Sequence, residues 1–234
     1  METKNLWIGE IPALVWDAPS DNVWIAVHGN LSHKADTVVR MLAEAAVPRG
    51  YQVLSFDLPA HGERRDAAVS CTPDVCVPEL RRVLDYAGKR WRTVSLYACS
   101  MGAYFSLLAY PDATFRQCLF LSPVVAMQVL IEGMMAGAGV THEQLAREKE
   151  IAVPGGQTLS WAYYTYVKTH PVTTWRTPTA ILYAEHDGLT PYATVSGFAH
   201  RFDCALTVMP GGEHFFHTPE QLAFYKQWLE MSII

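Results

Sequence analysis

The 234-residue chain is predicted to be an α/β protein, with a mostly parallel central sheet, helices on both faces and a small helical insertion. Three observations point there. Short continuous apolar runs such as Val23 to Val27 and Cys118 to Leu121 have the pattern of strands buried on both faces. Between them lie stretches whose apolar residues recur at helical spacing. From Pro123 to Trp175 that rhythm breaks, with no convincing central strand, and the stretch is too long for a structureless connection in a compact domain.

In order, Leu6 to Ile8 and Ala13 to Trp16 flank Gly9-Glu10-Ile11-Pro12 as an opening antiparallel hairpin, closed by a turn over Asp17-Ala18-Pro19-Ser20-Asp21. Strand Val23 to Val27 runs into the loop His28-Gly29-Asn30. Asp36 to Ala46 carries Val38, Val39, Leu42, Ala45 and Ala46 at helical spacing and stops at Pro48-Arg49-Gly50. Strand Gln52 to Phe56 precedes a polar loop, Asp57 to Asp66, and Leu80, Val83, Leu84 and Ala87 mark a second helix. Strand Thr93 to Tyr97 leads directly into helix Gly102 to Tyr110. Cys118 to Leu121, Ala180 to Tyr183 and Leu206 to Met209 are further strands, and Tyr192 to His200 and Glu220 to Leu229 further helices. The insertion is expected to be helical around Met127 to Met135, Thr141 to Glu150 and Leu159 to Val167. The chain thus divides into a core, 1–122 with 176–234, and an inserted lid, 123–175.

Half of the residues are hydrophobic and 18% are charged, enough to build a sizeable core. The formal net charge of −5, without any Lys/Arg-rich run, argues against a nucleic-acid partner. The N-terminus lacks a basic region followed by an apolar run, and no apolar stretch approaches the roughly 18 residues that span a bilayer. A soluble, cytoplasmic protein with no membrane partner is expected. The five cysteines (Cys71, Cys76, Cys99, Cys118 and Cys204) are expected to be reduced and structural, with Cys71 and Cys76 on a loop. No metal is expected. His142-Glu143 lacks a second histidine four residues from the first, and His214 with His217 lacks a third ligand. With no glycine-rich phosphate loop or dinucleotide fingerprint, no cofactor is implied.

Ser100 stands where a strand meets a helix, in Ala98-Cys99-Ser100-Met101-Gly102. A serine on such a sharp turn projects its hydroxyl above the sheet edge, and the strain requires small residues two before and two after it. Ala98 and Gly102 satisfy that requirement. The corresponding neighbours of the intrinsically better nucleophile, Cys99, are the bulky Tyr97 and Met101. Geometry selects Ser100, although the motif departs from G-x-S-x-G at Ala98.

With this element order and this turn, the chain resembles the α/β-hydrolase superfamily over nearly its whole length, particularly its small lidded esterase-like members. The resemblance implies backbone oxyanion donors from Met101, which follows the nucleophile, and from the loop after Val23 to Val27, where Asn30 is the expected donor. His28 would then brace the loop, and the segment Asp57-Leu58-Pro59-Ala60-His61-Gly62 would serve mainly turn geometry. The loops Ala184 to Pro191 and Pro210 to Phe215 each follow a strand and resemble the family's acid and histidine loops. The match points to Asp187 as acid and His214 as base, with Glu185 and His217 as the competing choices. The family's lids commonly line an acyl pocket, so Trp161 and Tyr164, near one face of a lid helix, are the expected substrate-binding residues.

The function so implied is hydrolysis of a small-molecule carboxylic ester, with a small or aromatic acyl group, through an acyl-enzyme. Two alternatives keep the fold: cleavage of amides, peptides or thioesters, and ligand binding without turnover.

Overall fold

Apolar runs with no polar face require cover on both sides, and the computed structural model, which describes residues 1–17 and 19–234, provides it. The sheet is built from β1 (Glu2–Ile8), β2 (Ile11–Asp17), β3 (Asn22–Val27), β4 (Gln52–Phe56), β5 (Thr93–Cys99), β6 (Cys118–Leu121), β9 (Thr179–His186) and β10 (Ala205–Glu213). These eight strands lie in the order β1-β2-β4-β3-β5-β6-β9-β10. Neighbours from β4 to β10 pair in parallel, and the β1–β2 hairpin adds antiparallel to β4. Of the turn expected over 17–21, Ala18 lies outside the described residues.

On β3, Trp24 and Ala26 face a cluster with Leu42, Tyr97, Leu119 and Trp228, which is covered by α1 (Thr37–Ala46) and α8 (Pro219–Ser232). Val23, Ile25 and Val27 face the opposite cluster, where α2 (Pro73–Gly88), α3 (Met101–Ala109) and α7 (Tyr192–Arg201) pack. Burying each of the large side chains is worth roughly 1.5–3 kcal/mol. The side-chain period of two on strands between two helical layers is what gives this three-layer form.

Helix α2 is longer than its apolar marks suggest. Thr72 is its N-cap and Pro73 its first residue, so Cys76 stands inside a helix and not on a loop. The insertion between β6 and β9 also differs from the all-helical expectation. It holds α4 (Met127–Ala138), α5 (His142–Glu148) and α6 (Trp161–Thr169), and between the last two a hairpin of β7 (Glu150–Val153) and β8 (Gln157–Ser160). Gly155 and Gly156, both at positive φ, make the turn after Pro154. Leu159 is buried beneath the hairpin and opposes the half-buried Ile151. The alternation of Ile151, Val153 and Leu159 around that Pro-Gly-Gly is a hairpin signal that the helical spacing obscured. No helix among the described residues is long and apolar enough to cross a membrane.

Candidate active site

Five side chains of chemical interest each stand on the first residue after a parallel strand: His28 after β3, Asp57 after β4, Ser100 after β5, Asp187 after β9 and His214 after β10. Loops at the carboxyl ends of such strands open onto one edge of the sheet, the usual place for a site in this architecture.

Ser100 is the single residue between β5 and α3, at φ 49° and ψ −118°, a region that non-glycine residues rarely occupy. The turn is tight enough that a Cβ at Gly102 would lie 2.4 Å from the His28 carbonyl oxygen and 2.8 Å from that of Val27. Ala98 is fully buried between Val27 and Phe120 of the flanking strands. The small-residue requirement at both positions thus has a concrete steric cause. Gly29 crosses above the turn, where a Cβ would come within 3.1 Å of Ser100 Cβ.

The Ser100 hydroxyl lies 2.8 Å from His214 Nε2, and His214 Nδ1 lies 2.7 Å from Asp187 Oδ2. Asp187 also accepts from the backbone N–H of Leu189 and Thr190 on Oδ1, and from the Thr190 hydroxyl on Oδ2. Burial by itself would raise the Asp187 carboxyl, but the His214 bond and charge and these N–H donors outweigh it and hold the carboxyl below its ordinary range. The ionised carboxylate can only accept, so His214 Nδ1 donates to it and Nε2 is left to accept from the serine hydroxyl. Ser100 is 8% exposed and His214 6%, so the relay is screened from bulk water but reachable.

The competing residues make other contacts, although His217 borders the same cavity as Ser100. Glu185 Oε2 accepts from the Gly211 N–H, tying the ends of β9 and β10 together. His217 is exposed, its Nδ1 on the Phe215 carbonyl, and it precedes the Thr218 N-cap of α8. Burial pushes the Cys99 thiol up to about 12, away from the thiolate a nucleophile needs.

The loop beside the serine is braced from below. His28 is fully buried; its Nδ1–H donates to the Gly29 carbonyl and its Nε2 accepts from the Leu58 N–H. Burial and the nearby His61 lower its pKa to about 4, so it stays neutral and structural. His61 Nε2 lies 3.1 Å from Asn30 Oδ1 and its Nδ1–H donates to the Pro59 carbonyl. Asp57, fully buried, accepts from the Lys34 N–H, the Lys34 ammonium at 2.7 Å and the Glu63 N–H. Burial opposes its charge, yet these donors hold the Asp57 carboxyl below its ordinary range. A Cβ at Gly62 would fall 2.2 Å from Asp57 Cγ. Lys34, Asp57 and Thr190 are supporting residues to which the sequence reading gave no such role. Their traces there were an acid directly after a strand and a threonine three residues beyond Asp187, the spacing of an Asx turn.

Ser100, His214 and Asn30 open into a cavity of about 200 Å³ walled by Val38, Leu121 and Phe216. Neither Trp161 nor Tyr164, the rings expected to bind substrate, lines it. Tyr164 is 1% exposed, donates its hydroxyl to Glu132, lies 2.7 Å from His142 Nε2, and carries Trp161 against its ring at 5.8 Å. Helix α6 turns these rings into the packing of the insertion because α4 and α5 lie there to receive them. A second cavity, about 310 Å³, opens between α3, α4, α6 and α7 and touches none of the three relay residues. Among the described residues, no group of three or more His, Cys, Asp or Glu side chains could hold a metal ion.

No family model matches the sequence, and no curated protein matches it. Solved structures do match. Est1E from Butyrivibrio proteoclasticus, with ferulic acid bound, is 20% identical with a TM-score of 0.77, over 97% of this chain and 96% of that one. Alpha/beta hydrolase domain-containing protein 10 from mouse is 15% identical with a TM-score of 0.77, over 99% and 98%. A serine hydrolase from Xanthomonas campestris described as having no lid is 18% identical with a TM-score of 0.67, over 98% and 93%. Strand order, helical layers and these likenesses over nearly the whole length agree that the chain has the α/β-hydrolase fold.

Proposed function

We propose that this chain is a serine hydrolase that cleaves carboxylic esters of small or aromatic acyl groups through an acyl-enzyme. The observation that carries the reading is the continuous relay from Ser100 Oγ through His214 to the buried carboxylate of Asp187. Ser100 attacks the ester carbonyl as His214 Nε2 takes its proton, and the imidazolium so formed is stabilised by Asp187. His214 returns the proton to the leaving alcohol, then activates water to release the acid. The backbone N–H groups of Met101 and Asn30 serve as the oxyanion donors. Met101 is the first residue of α3, so its N–H has no intrahelical partner, and Asn30 borders the cavity at Ser100. The acyl group occupies that cavity. Its volume lies below the roughly 300–1,000 Å³ of drug-sized sites, which favours compact acyl groups. The insertion, 123–175, acts as a lid at the flank of the core and not as the wall of this cavity.

The test is a hydrolysis panel of aryl and alkyl esters of increasing acyl length, with a ferulate ester included because Est1E binds ferulic acid. Compact esters should turn over fastest, and Ser100→Ala should lose at least about 10³-fold in kcat/KM while staying folded. A fluorophosphonate probe should label Ser100. Labelling with turnover of amides or thioesters alone would move the substrate class, and absence of both labelling and turnover would leave a ligand-binding protein.

A further inference from the structure

The relay leaves one pair of reactive side chains unused. With Thr72 as N-cap and Pro73 opening α2, Cys71 occupies the position just before the cap and Cys76 the fourth helical position. A helix start brings these two positions into side-chain contact, ordinarily between apolar groups. Here the contact is between sulfurs, 3.7 Å apart. Cys76 is fully buried, while Cys71 is half-buried at the end of an exposed run, 65–70. The His61 imidazole also engages Cys71, and Arg64, paired with Glu79, contributes positive charge near Cys76.

We propose that Cys71 and Cys76 form a dithiol site that a hydroperoxide oxidises to an intrachain disulfide, with Cys71 the attacking sulfur and Cys76 the resolving one. In the first step the Cys71 thiolate attacks the distal peroxide oxygen. An S–O bond forms, the O–O bond breaks, and the other oxygen leaves as water or an alcohol after taking up a proton. In the second step Cys76 sulfur attacks the sulfenic sulfur. The S–S bond forms, the S–O bond breaks, and hydroxide departs as water with the Cys76 proton. Two electrons pass from the pair to the peroxide.

The local chemistry assigns the two roles. The hydrogen bond from Cys76 and, against the effect of burial, the contact with His61 hold the Cys71 thiol below its ordinary range. The positive end of α2 acts in the same direction. The bond to Cys71 together with burial raises the Cys76 thiol. Burial also raises Cys99, Cys118 and Cys204, so Cys71 is the thiol best suited to attack. Closing the bond brings the sulfurs from 3.7 Å to about 2.0 Å, and because residues 65–70 before Cys71 are exposed, no buried packing of that run opposes the shift.

The test treats the full chain with stepwise hydrogen peroxide, blocks remaining thiols by alkylation and maps peptides by mass. Wild type should lose two hydrogens as a crosslink between Cys71 and Cys76, reversed by dithiothreitol. Cys76→Ser should stall with one added oxygen at Cys71, trapped by dimedone. Cys71→Ser, checked for folding by circular dichroism, should consume peroxide at least about tenfold more slowly. Ser100→Ala should oxidise as wild type does, since the site shares no residue with the relay. Accumulation of oxygen on Cys71 without a crosslink, or reaction first at Cys99, Cys118 or Cys204, would overturn the proposal.

Discussion

The strand-end loops and the insertion solve the same problem, placing polar side chains accurately, by different means. Ser100, Asp187 and His214 each follow a strand whose neighbours fix its register through ladder hydrogen bonds, so their positions come from the backbone of the sheet. Tyr164 and Trp161 stand on a nine-residue helix, and their surroundings come from whichever helices pack against it. A residue's distance from a strand end therefore predicts its place in the site, whereas aromatic content in an insertion predicts only that something will be packed.

The strongest way to break this comparison is at the acid. On the proposed mechanism, Asp187→Asn keeps the shape but removes the charge that would stabilise imidazolium, and kcat should fall by about 10⁴. Glu185→Gln, whose side chain serves Gly211, should cost less than about tenfold. Asp187 also links activity to stability. Its folded pKa lies below the ordinary value, so its contribution is in place above about pH 4 and is lost as pH falls through the lowered folded value. Urea unfolding of wild type and Asp187→Asn across that window should show their difference shrinking toward low pH. A difference that stayed constant would mean the carboxylate charge carries none of it.

Next in size is Gly102→Ala. The added Cβ would meet two backbone carbonyls, which cannot rotate away as a side-chain end could. A cost of about 1–3 kcal/mol in unfolding free energy is expected, with activity lost because the His28–Gly29 segment must retreat from Ser100. Gly133→Ala in the insertion, where a Cβ meets nothing within 4 Å, is its control and should be neutral or stabilising. Equal effects at the two glycines would show that the turn has slack.

A smaller effect tests which region sets specificity. Val38→Ala removes two carbons from the wall of the cavity at Ser100 and should shift preference toward longer acyl groups by at least about tenfold, since one methylene in an apolar pocket is already worth that much. Smallest of all should be Tyr164→Phe. Losing its bond to Glu132 should lower stability by about 0.5–1.5 kcal/mol and leave every ester rate within about twofold. An altered acyl preference in Tyr164→Phe, with none in Val38→Ala, would return substrate contact to the insertion.

Most of the sheet was legible because fully buried parallel strands leave largely apolar runs, and β3, β4 and β6 fall within about a residue of where those runs lie. The turn at Ser100 was legible because its steric demand is local: two small residues at fixed offsets. The β7–β8 hairpin was not, since Leu159 fits a helical and an alternating pattern equally well over so short a stretch. Cys76 was misplaced for a related reason. The first two turns of α2 carry Pro73, Asp74 and Pro78, which read as loop until the cap at Thr72 is seen.

By itself, the sequence determined the layered α/β plan and the residues able to form a nucleophile turn. Those properties depend on periodicity and on neighbours a few residues away. Only the tertiary structure decided that Asp187 and not Glu185 faces His214, that Lys34 and Asp57 tie two loops together, and that Tyr164 of the insertion packs inward. Such choices rest on contacts between segments tens of residues apart. Their energies depend on distance and burial in three dimensions, and no spacing along the chain encodes them.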